Sequence, residues 1–555
     1  MKHRGNTLSM IAVALLSVTT ASAQTYTPLY TYPQTGSGSS GITWPSLLSQ
    51  GQDGNLYSTI ETNGAYNSGS VYKMTTAGVY TPFYSFCVEG SHCASTGGYP
   101  LGGVTLGFDG NLWGTTQNGG KYAVGTVFKI TSAGTLTNVY SFTNGKDDGV
   151  PNYPVFQGQD GNMYGVSEVP YGGEYGAFFK LTTKGKITAK LFDYSDGESP
   201  NLPAQGTDLN FYGTTQYGGD AYINCGVVYK ATAAGKIGVL HNFAEYPNDG
   251  CQPIGVLVQG NDGDFYGTTY GGGTTNNNGT VFKISSTGAY TLLYSFTFGN
   301  PSSANPYDAR HPVAGLTLGT DGNLYGVGEH GGTADHGAIF EITPTGTETV
   351  LHNFCAVNCA DGMLPTTPMV LHTDGKFYGN TAGNSNGGES VFYSFDVELQ
   401  PFVKLVTWSA KDGATAEILG QGFTGTSGVS FNGTAASFKV VSDTYLTATV
   451  PAGATTGSVS VATSTGVLTS DRIFLVVPEI AGFSPPSGPI GTPVTISGSG
   501  FTGATAVKFR SKAAKFTVNS DSQITATVPS GAKTGKISVT TPGGVATSTE
   551  SFTVT

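Results

Sequence analysis

Asp53-Gly54-Asn55-Leu56-Tyr57 is the phrase that decides the fold, because it returns along the chain as Asp109-Gly-Asn-Leu-Trp113, Asp160-Gly-Asn-Met-Tyr164, Asp208-Leu-Asn-Phe-Tyr212, Asp262-Gly-Asp-Phe-Tyr266, Asp321-Gly-Asn-Leu-Tyr325 and Asp374-Gly-Lys-Phe-Tyr378. Successive Asp positions differ by 56, 51, 48, 54, 59 and 53 residues. A period of about 50 residues suits a four-stranded propeller blade.

Each unit carries four strand signals. In the second, Gly103 to Leu106 is a short apolar run, Asp109-Gly110 is a tight hairpin turn, and Leu112 to Thr115 returns as the next strand. After Gly119-Gly120, Thr126 to Ile130 alternates as a half-buried strand should, and the Ser132-Ala-Gly134 turn leads to Leu136 to Phe142. Blades cannot bury both faces alone, so the ring has to close. Tyr26-Thr-Pro-Leu-Tyr-Thr-Tyr32 reads like Tyr80-Thr-Pro-Phe-Tyr-Ser-Phe86, a fourth strand, while the last unit runs out of strands after Val391 to Phe395. Residues 26–32 are therefore expected to pair with 390–396 and complete the last sheet. Connections from strand two to three and from strand four to the next unit then fall on one face and are long. The others are tight and fall on the opposite face.

The N-terminus has Lys2 and Arg4, an apolar run from Ile11 to Leu16, and Ala21-Ser22-Ala23 before Gln24. This reads as a secretory signal peptide, and no later stretch is apolar enough to span a bilayer. The expected location is extracellular, cell-surface or periplasmic. With 83 Gly, 30 Tyr and 30 Phe but only 11% charged residues, the composition is that of turn-dense, aromatic-rich β structure. The net charge of −11 is thinly spread and no Lys/Arg cluster exists, which excludes a nucleic-acid partner. Six cysteines in an exported chain suggest three disulfides. Cys87 with Cys93 and Cys355 with Cys359 are near enough to clip their own loops. Cys225 and Cys251 both fall on the long-loop face, so their pairing tests the fold.

From about residue 400 the pattern changes. Gly420-Gln-Gly-Phe-Thr-Gly425 aligns with Gly498-Ser-Gly-Phe-Thr-Gly503, and Leu446-Thr-Ala-Thr-Val-Pro451 with Ile524-Thr-Ala-Thr-Val-Pro529, marking two small β-sandwiches. The second resembles an IPT/TIG domain, opening with Ile480-Ala-Gly-Phe-Ser-Pro-Pro-Ser-Gly-Pro489. The first has Trp408-Ser-Ala-Lys-Asp-Gly413 in place of the Pro-Ser-Gly-Pro turn. This resemblance implies Ig-like folds used as spacer, adhesion or glycan-contacting modules. The repeat phrase itself, best in Tyr266-Gly-Thr-Thr-Tyr-Gly-Gly-Gly273 followed by Gly279-Thr-Val-Phe-Lys283, resembles the Gloeo/Verruco repeat of exported bacterial proteins over residues 25–396. That resemblance implies a propeller-like fold and no agreed activity. Leu209 in place of the turn Gly, and Asn380 in the Tyr-Gly-Thr-Thr phrase, depart from it. The expected organisation is all-β: a signal peptide (1–23), a seven-bladed β-propeller (24–398) and two Ig-like β-sandwich domains (399–477 and 478–555).

The Asp-Gly of each repeat invites calcium, but a hairpin turn favours the same dipeptide. A second near-repeat, Asp148-Gly-Val-Pro151, Asp196-Gly-Glu-Ser-Pro200, Asp249-Gly-Cys-Gln-Pro253 and Asp361-Gly-Met-Leu-Pro365, puts carboxylates on the long-loop face, where turn chemistry also accounts for them. Glu329, His330, Asp335 and His336 form the most reactive-looking cluster, with solvated loop residues as the plainer account. His241 and His352, in Leu-His-Asn-Phe phrases where other units have Tyr-Ser-Phe, read as structural. Tyr171, Tyr217, Tyr222 and Tyr270 fall in the long loops beside glycines and suit stacking on sugar rings. The central mouth of that face is the default ligand site, with Tyr171, Tyr217, Tyr222, Tyr270, Glu329, His330 and His336 as its candidates. No catalytic residue, metal site or cofactor is assigned.

The leading reading is a monomeric extracellular binding protein, the propeller recognising a glycan or surface protein and the sandwiches serving as stalk. One rival is a polysaccharide lyase or hydrolase. Asp109-Gly-Asn-Leu-Trp113 is similar to the blade phrase of the virginiamycin B lyase family, yet Gly114-Thr-Thr116 follows where that family has aromatic and acidic residues, so no catalytic position carries over. A structural envelope component is the third reading.

Overall fold

The computed structural model describes residues 24–33, 46–62, 64–87, 93–143, 147, 149–168, 175–220, 222–244, 249–274, 277–297, 308–357, 359–383 and 389–555. Every regular element among them is a β-strand. Sheet 1 has the order Ser49–Gln50, Leu56–Ile60, Ser70–Met74, Tyr80–Ser85, and sheets 2 to 6 repeat this meander down the chain. Sheet 7 has only three strands of its own, Val370–Leu371, Phe377–Asn380 and Val391–Asp396, and Thr25–Thr31 supplies the fourth. Tyr26 stands opposite Phe395 and Thr31 opposite Val391, and the Tyr32 amide donates to the Ser390 carbonyl at 2.9 Å, as the sequence led us to expect.

The cores lie between sheets. Tyr57, Phe86, Val104 and Phe128 pack sheet 1 on sheet 2, and equivalent clusters join each later pair. Tyr32, Leu56, Tyr72, Tyr378 and Phe392 pack sheet 7 on sheet 1, which closes the propeller. The second strands are buried along their whole length because they have a neighbouring sheet on both faces. Their Gly is required by close approach. A Cβ on Gly114, Gly267 or Gly326 would sit 2.5 Å from the Cζ of the third-strand ring, Phe128, Phe282 or Phe340.

The repeat Asp is a turn fastener. In sheet 3, Asp160 Oδ1 accepts the Asn162 amide at 3.1 Å, while Oδ2 accepts the Tyr164 hydroxyl at 2.8 Å and the Lys180 ammonium at 2.7 Å. Lys180 stands opposite Tyr164 in the ladder, so the register delivers it there. Burial raises the Asp160 pKa, but the bonds from Lys180, Tyr164 and Asn162 outweigh it and hold the carboxyl below its ordinary range. The same bonds recur at Asp208 and Asp262. Leu209 keeps the turn by taking φ 63° itself. A second fastener was not read from the sequence. Gln157 Oε1 accepts the Phe108 amide (2.6 Å), Gln205 the Gln159 amide (3.0 Å) and Gln259 the Thr207 amide (2.9 Å), each tying an inner strand to the preceding sheet's repeat-Asp turn.

Two sandwiches follow. In the first, a sheet containing Lys404–Leu405 and Thr415–Leu419 faces one containing Gly428–Phe431 and Val459–Ala462 over Ile418, Phe431, Leu446 and Val461. The second repeats the plan around Ile496, Phe509, Ile524 and Val539. The first sandwich is not a free stalk. Its Trp408 and Ser409 amides donate to Gln159 Oε1 (3.1 and 3.0 Å), Gln421 Nε2 donates to Thr373 Oγ1 (2.8 Å), and Thr444 Oγ1 donates to the Gln52 carbonyl (2.7 Å). It docks through polar groups beside the Asp-Gly turns, namely the Gln159 side-chain oxygen, the Thr373 hydroxyl and the Gln52 carbonyl.

Candidate functional site

On the long-loop face, six lead-in turns share one backbone device. Tyr99, Val150, Ser199, Gln252, His311 and Leu364 each precede a proline and adopt φ between 40° and 58°, a region that side chains and pre-proline sterics both disfavour. The strain is held by bonds to two sheets at once. The His311 amide donates to the Asn278 carbonyl of the preceding loop at 2.8 Å, and the His311 carbonyl accepts the Glu329 amide at 3.3 Å.

Around His311 the side chains converge. Its Nδ1 donates to the Tyr270 carbonyl at 3.0 Å, and its ring lies 4.6 Å from the Tyr270 ring at an interplanar angle of 31°. His330 presents its ring to His311 edge-on at 5.8 Å, and its Nε2 lies 4.0 Å from Glu329 Oε2. Two-residue strands set this arrangement, with Ala309 opposite Gly331 and Arg310 opposite His330. Arg310 grips Asp335 through Nε to Oδ1 at 3.0 Å and Nη2 to Oδ2, and Asp335 Oδ1 also accepts the Gly331 amide at 2.9 Å. Asp335 thus organises the loop.

Burial raises the Glu329 pKa, with His330 partly offsetting it. Burial also lowers that of His311, and neighbouring Arg310 and His330 add to the effect. Tyr270 is raised by burial and by the Glu329 carboxylate. The rim between sheets 5 and 6 therefore offers a half-exposed aromatic pair flanked by a carboxylate, an imidazole and a fixed guanidinium.

Of the candidates read from the sequence, the structure brings Tyr270, Glu329 and His330 together. His336 lies apart at the junction with sheet 7, where its carbonyl accepts the Leu364 amide at 2.8 Å. Tyr217 ends the strand Phe211–Tyr217 opposite Glu198, and Tyr222 is 97% exposed. Tyr171 lies outside the described residues. Arg310 and His311 were missed because Asp308-Ala-Arg-His-Pro312 has Ala where the near-repeat has Gly. Its Asp and Pro were the signal that could have found it.

Tyr153 of sheet 3 reaches across to the next two sheets, its hydroxyl donating to Asn201 Oδ1 of sheet 4 at 2.7 Å beside the Ile254 carbonyl of sheet 5. Two of the rim carboxylates are committed to the fold. Asp249 meets His241 Nε2 at 2.9 Å and Asp361 meets His352 Nε2 at 3.1 Å, which gives those histidines the structural role expected of them. The matching residue in sheet 2 is Asp147, which accepts the Tyr140 hydroxyl at 2.6 Å, whereas Asp148 lies outside the described residues. Among the described residues no three His, Cys, Asp or Glu side chains gather as a metal site. Cys87 with Cys93, Cys225 with Cys251 and Cys355 with Cys359 stand at disulfide distance, the middle pair with Cα atoms 4.6 Å apart. Such pairing points to a non-cytoplasmic protein. Among the described residues no helix is long and apolar enough to cross a membrane.

The family model of the Gloeobacter/Verrucomicrobia repeat matches residues 14–168 and 143–309, more than half of the chain. The chain belongs to that repeat family. The IPT/TIG domain model matches residues 478–555, so the second sandwich is Ig-like, and the first shares its plan. No curated protein matches. Among solved structures, SGBP-B from a xyloglucan utilization locus of Bacteroides uniformis is 22% identical, covering 27% of this chain and 48% of its own, with a TM-score of 0.15. The surface glycan-binding protein PbSGBP-B from Prevotella bryantii is 20% identical, covering 28% and 39%, with a TM-score of 0.21. This chain spans about half the length of the first and less of the second. A fungal AA5 alcohol oxidase in complex with copper is 12% identical, covering 96% and 99%, with a TM-score of 0.42. At these scores the likeness carries no argument for activity.

Proposed function

We propose that this is an exported, non-catalytic binding protein whose repeat domain (24–398) recognises glycan at the long-loop rim between sheets 5 and 6, with residues 1–23 as its signal peptide and the sandwiches (399–477 and 478–555) as a docked base and a distal module. The observation that carries this reading is the half-exposed Tyr270 ring tilted against His311, with Glu329, His330 and Arg310 around it. Pyranose rings pack their C–H faces on such aromatic surfaces, and the flanking groups supply donors and acceptors for hydroxyls. The disulfide pairs support export. The binding role is supported by the state of the carboxylates, since Asp335 is held in the Arg310 fork and Asp249 and Asp361 are bonded to structural histidines.

The test is a glycan array followed by titration of the best ligand against Tyr270→Ala and Glu329→Gln. Tyr270→Ala is expected to weaken binding by at least about tenfold, the loss of one stacking contact worth roughly 1.4 kcal/mol, while the melting temperature holds. An array with no binder overturns the reading. New reducing ends or unsaturated products that vanish in Glu329→Gln would replace it with the enzyme reading.

A further inference from the structure

A second space lies at the other end of the propeller. Inner strands of sheets 1 and 3 to 7 surround a cavity of about 690 Å³, walled by Phe156, Leu202, Val256, Leu316 and Met369. That volume falls within the ordinary range of small-molecule sites. Its floor is the first sandwich, which contributes Lys404, Trp408, Asp471 and Arg472. The bonds that anchor the sandwich come from the turns of sheets 7, 1 and 3. The turns of sheets 5 and 6, at Asn261, Gly263 and Thr320, instead border the cavity and form its lip.

Strand geometry aims Lys404 into this space. Val403 and Leu405 both belong to the sandwich core, so the residue between them points the opposite way, toward the propeller. Burial lowers the pKa of Lys404, and no described carboxylate closes an ion pair with it. Asp471 acts on it from a distance while its Oδ1 accepts the Leu405 amide at 3.4 Å. Arg472 lies over the Trp408 ring, its Cζ 5.6 Å from the centroid, and Trp408 is fixed by its backbone bond to Gln159 at 3.1 Å. At the lip, Asp262 is neutralised by Lys283 at 2.7 Å. The floor therefore holds two cations against one carboxylate, beneath apolar walls. A partly buried ammonium with no carboxylate in ion-pair contact is costly, and an anionic guest removes that cost.

We propose that this cavity binds a small organic carboxylate, its head on Lys404 and Arg472 and its ring or chain against Trp408 and the inner-strand walls. The reading is independent of the rim site on the opposite face. It is tested on the full mature protein by calorimetry with benzoate, digalacturonate and the neutral disaccharide cellobiose as probes. At least one carboxylate should bind, cellobiose should not, and Lys404→Met should weaken the bound acid by at least about tenfold, as loss of one charge-assisted bond predicts. Arg472→Gln should weaken it in the same direction, and raised salt should reduce the wild-type affinity. Preference for digalacturonate identifies an acidic sugar as the source of the carboxylate, and preference for benzoate an aromatic acid. The proposal is overturned if neither acid binds, or if Lys404→Met and Arg472→Gln both leave the affinity unchanged.

Discussion

Glu417 is a carboxyl held in unfavourable surroundings. It sits on the sandwich strand Thr415–Leu419, its Oε2 is buried without a hydrogen-bond partner, and burial together with the Asp109 carboxylate of sheet 2 pushes its pKa up to about 7. A carboxyl whose folded pKa is raised contributes stability that is complete below its ordinary value of 4.5 and is lost as pH rises through about 7. The docked form should therefore be firmer at pH 5 than at pH 8. Glu417→Gln should flatten that dependence and gain on the order of 1–3 kcal/mol at pH 8. Urea unfolding at the two pH values checks this, and a wild type equally stable at both contradicts it. The repeat Asp makes the opposite case at the same scale. Its charge is wanted, since at Asp160 a hydroxyl, an amide and an ammonium converge on it, and a cation would have to displace them.

Between elements, the contacts that matter join one sheet to the next. The Tyr26 ring, on the strand that completes sheet 7, stacks on His352 of sheet 6 at 4.2 Å, and its hydroxyl donates to the Asp361 carbonyl at 2.5 Å. Cys225 to Cys251 does the same covalently, tying the long loop of sheet 4 to the lead-in of sheet 5 across 26 residues. Replacing both by Ser should cost about 3 kcal/mol, the chain-entropy value for a loop of this order. Thermal unfolding should shift down accordingly, and an unchanged melting temperature would mean that the surrounding hydrogen bonds already hold the junction. Gly267→Ala should be as damaging without touching any polar bond. The added methyl meets Phe282 at 2.5 Å within a buried strand, and overpacking of this kind costs about 1–3 kcal/mol.

For the whole molecule, the decisive fact is that the first sandwich covers one end of the propeller. Thr444→Val with Gln421→Ala removes the Thr444 donor to Gln52 and the Gln421 donor to Thr373, leaving Ser442 Oγ on the Gln52 carbonyl at 3.3 Å and both cores intact. Small-angle scattering should then show a larger radius of gyration for the variant, with far-ultraviolet circular dichroism unchanged. A scattering curve identical to wild type would mean that backbone-mediated contacts such as Trp408 and Ser409 on Gln159 suffice for docking.

The spacing of the Asp-Gly phrases, the alternation within each unit and the match of Tyr26–Tyr32 to a fourth strand determined the repeat fold and its closure, because turns, strand periods and strand counts are local properties written in order along the chain. The structural roles of His241 and His352 were legible for the same reason, standing where a Tyr stands in other units. The rim cluster was only half legible. Tyr270, Glu329 and His330 stood out by type, but Arg310 and His311 reach them from another turn through a two-residue strand pairing that no local pattern announces. The cavity floor was not legible at all. Lys404 and Arg472 are ordinary surface cations within their own domain, and only the packing of that domain on the propeller takes water away from Lys404 and turns both toward a shared space.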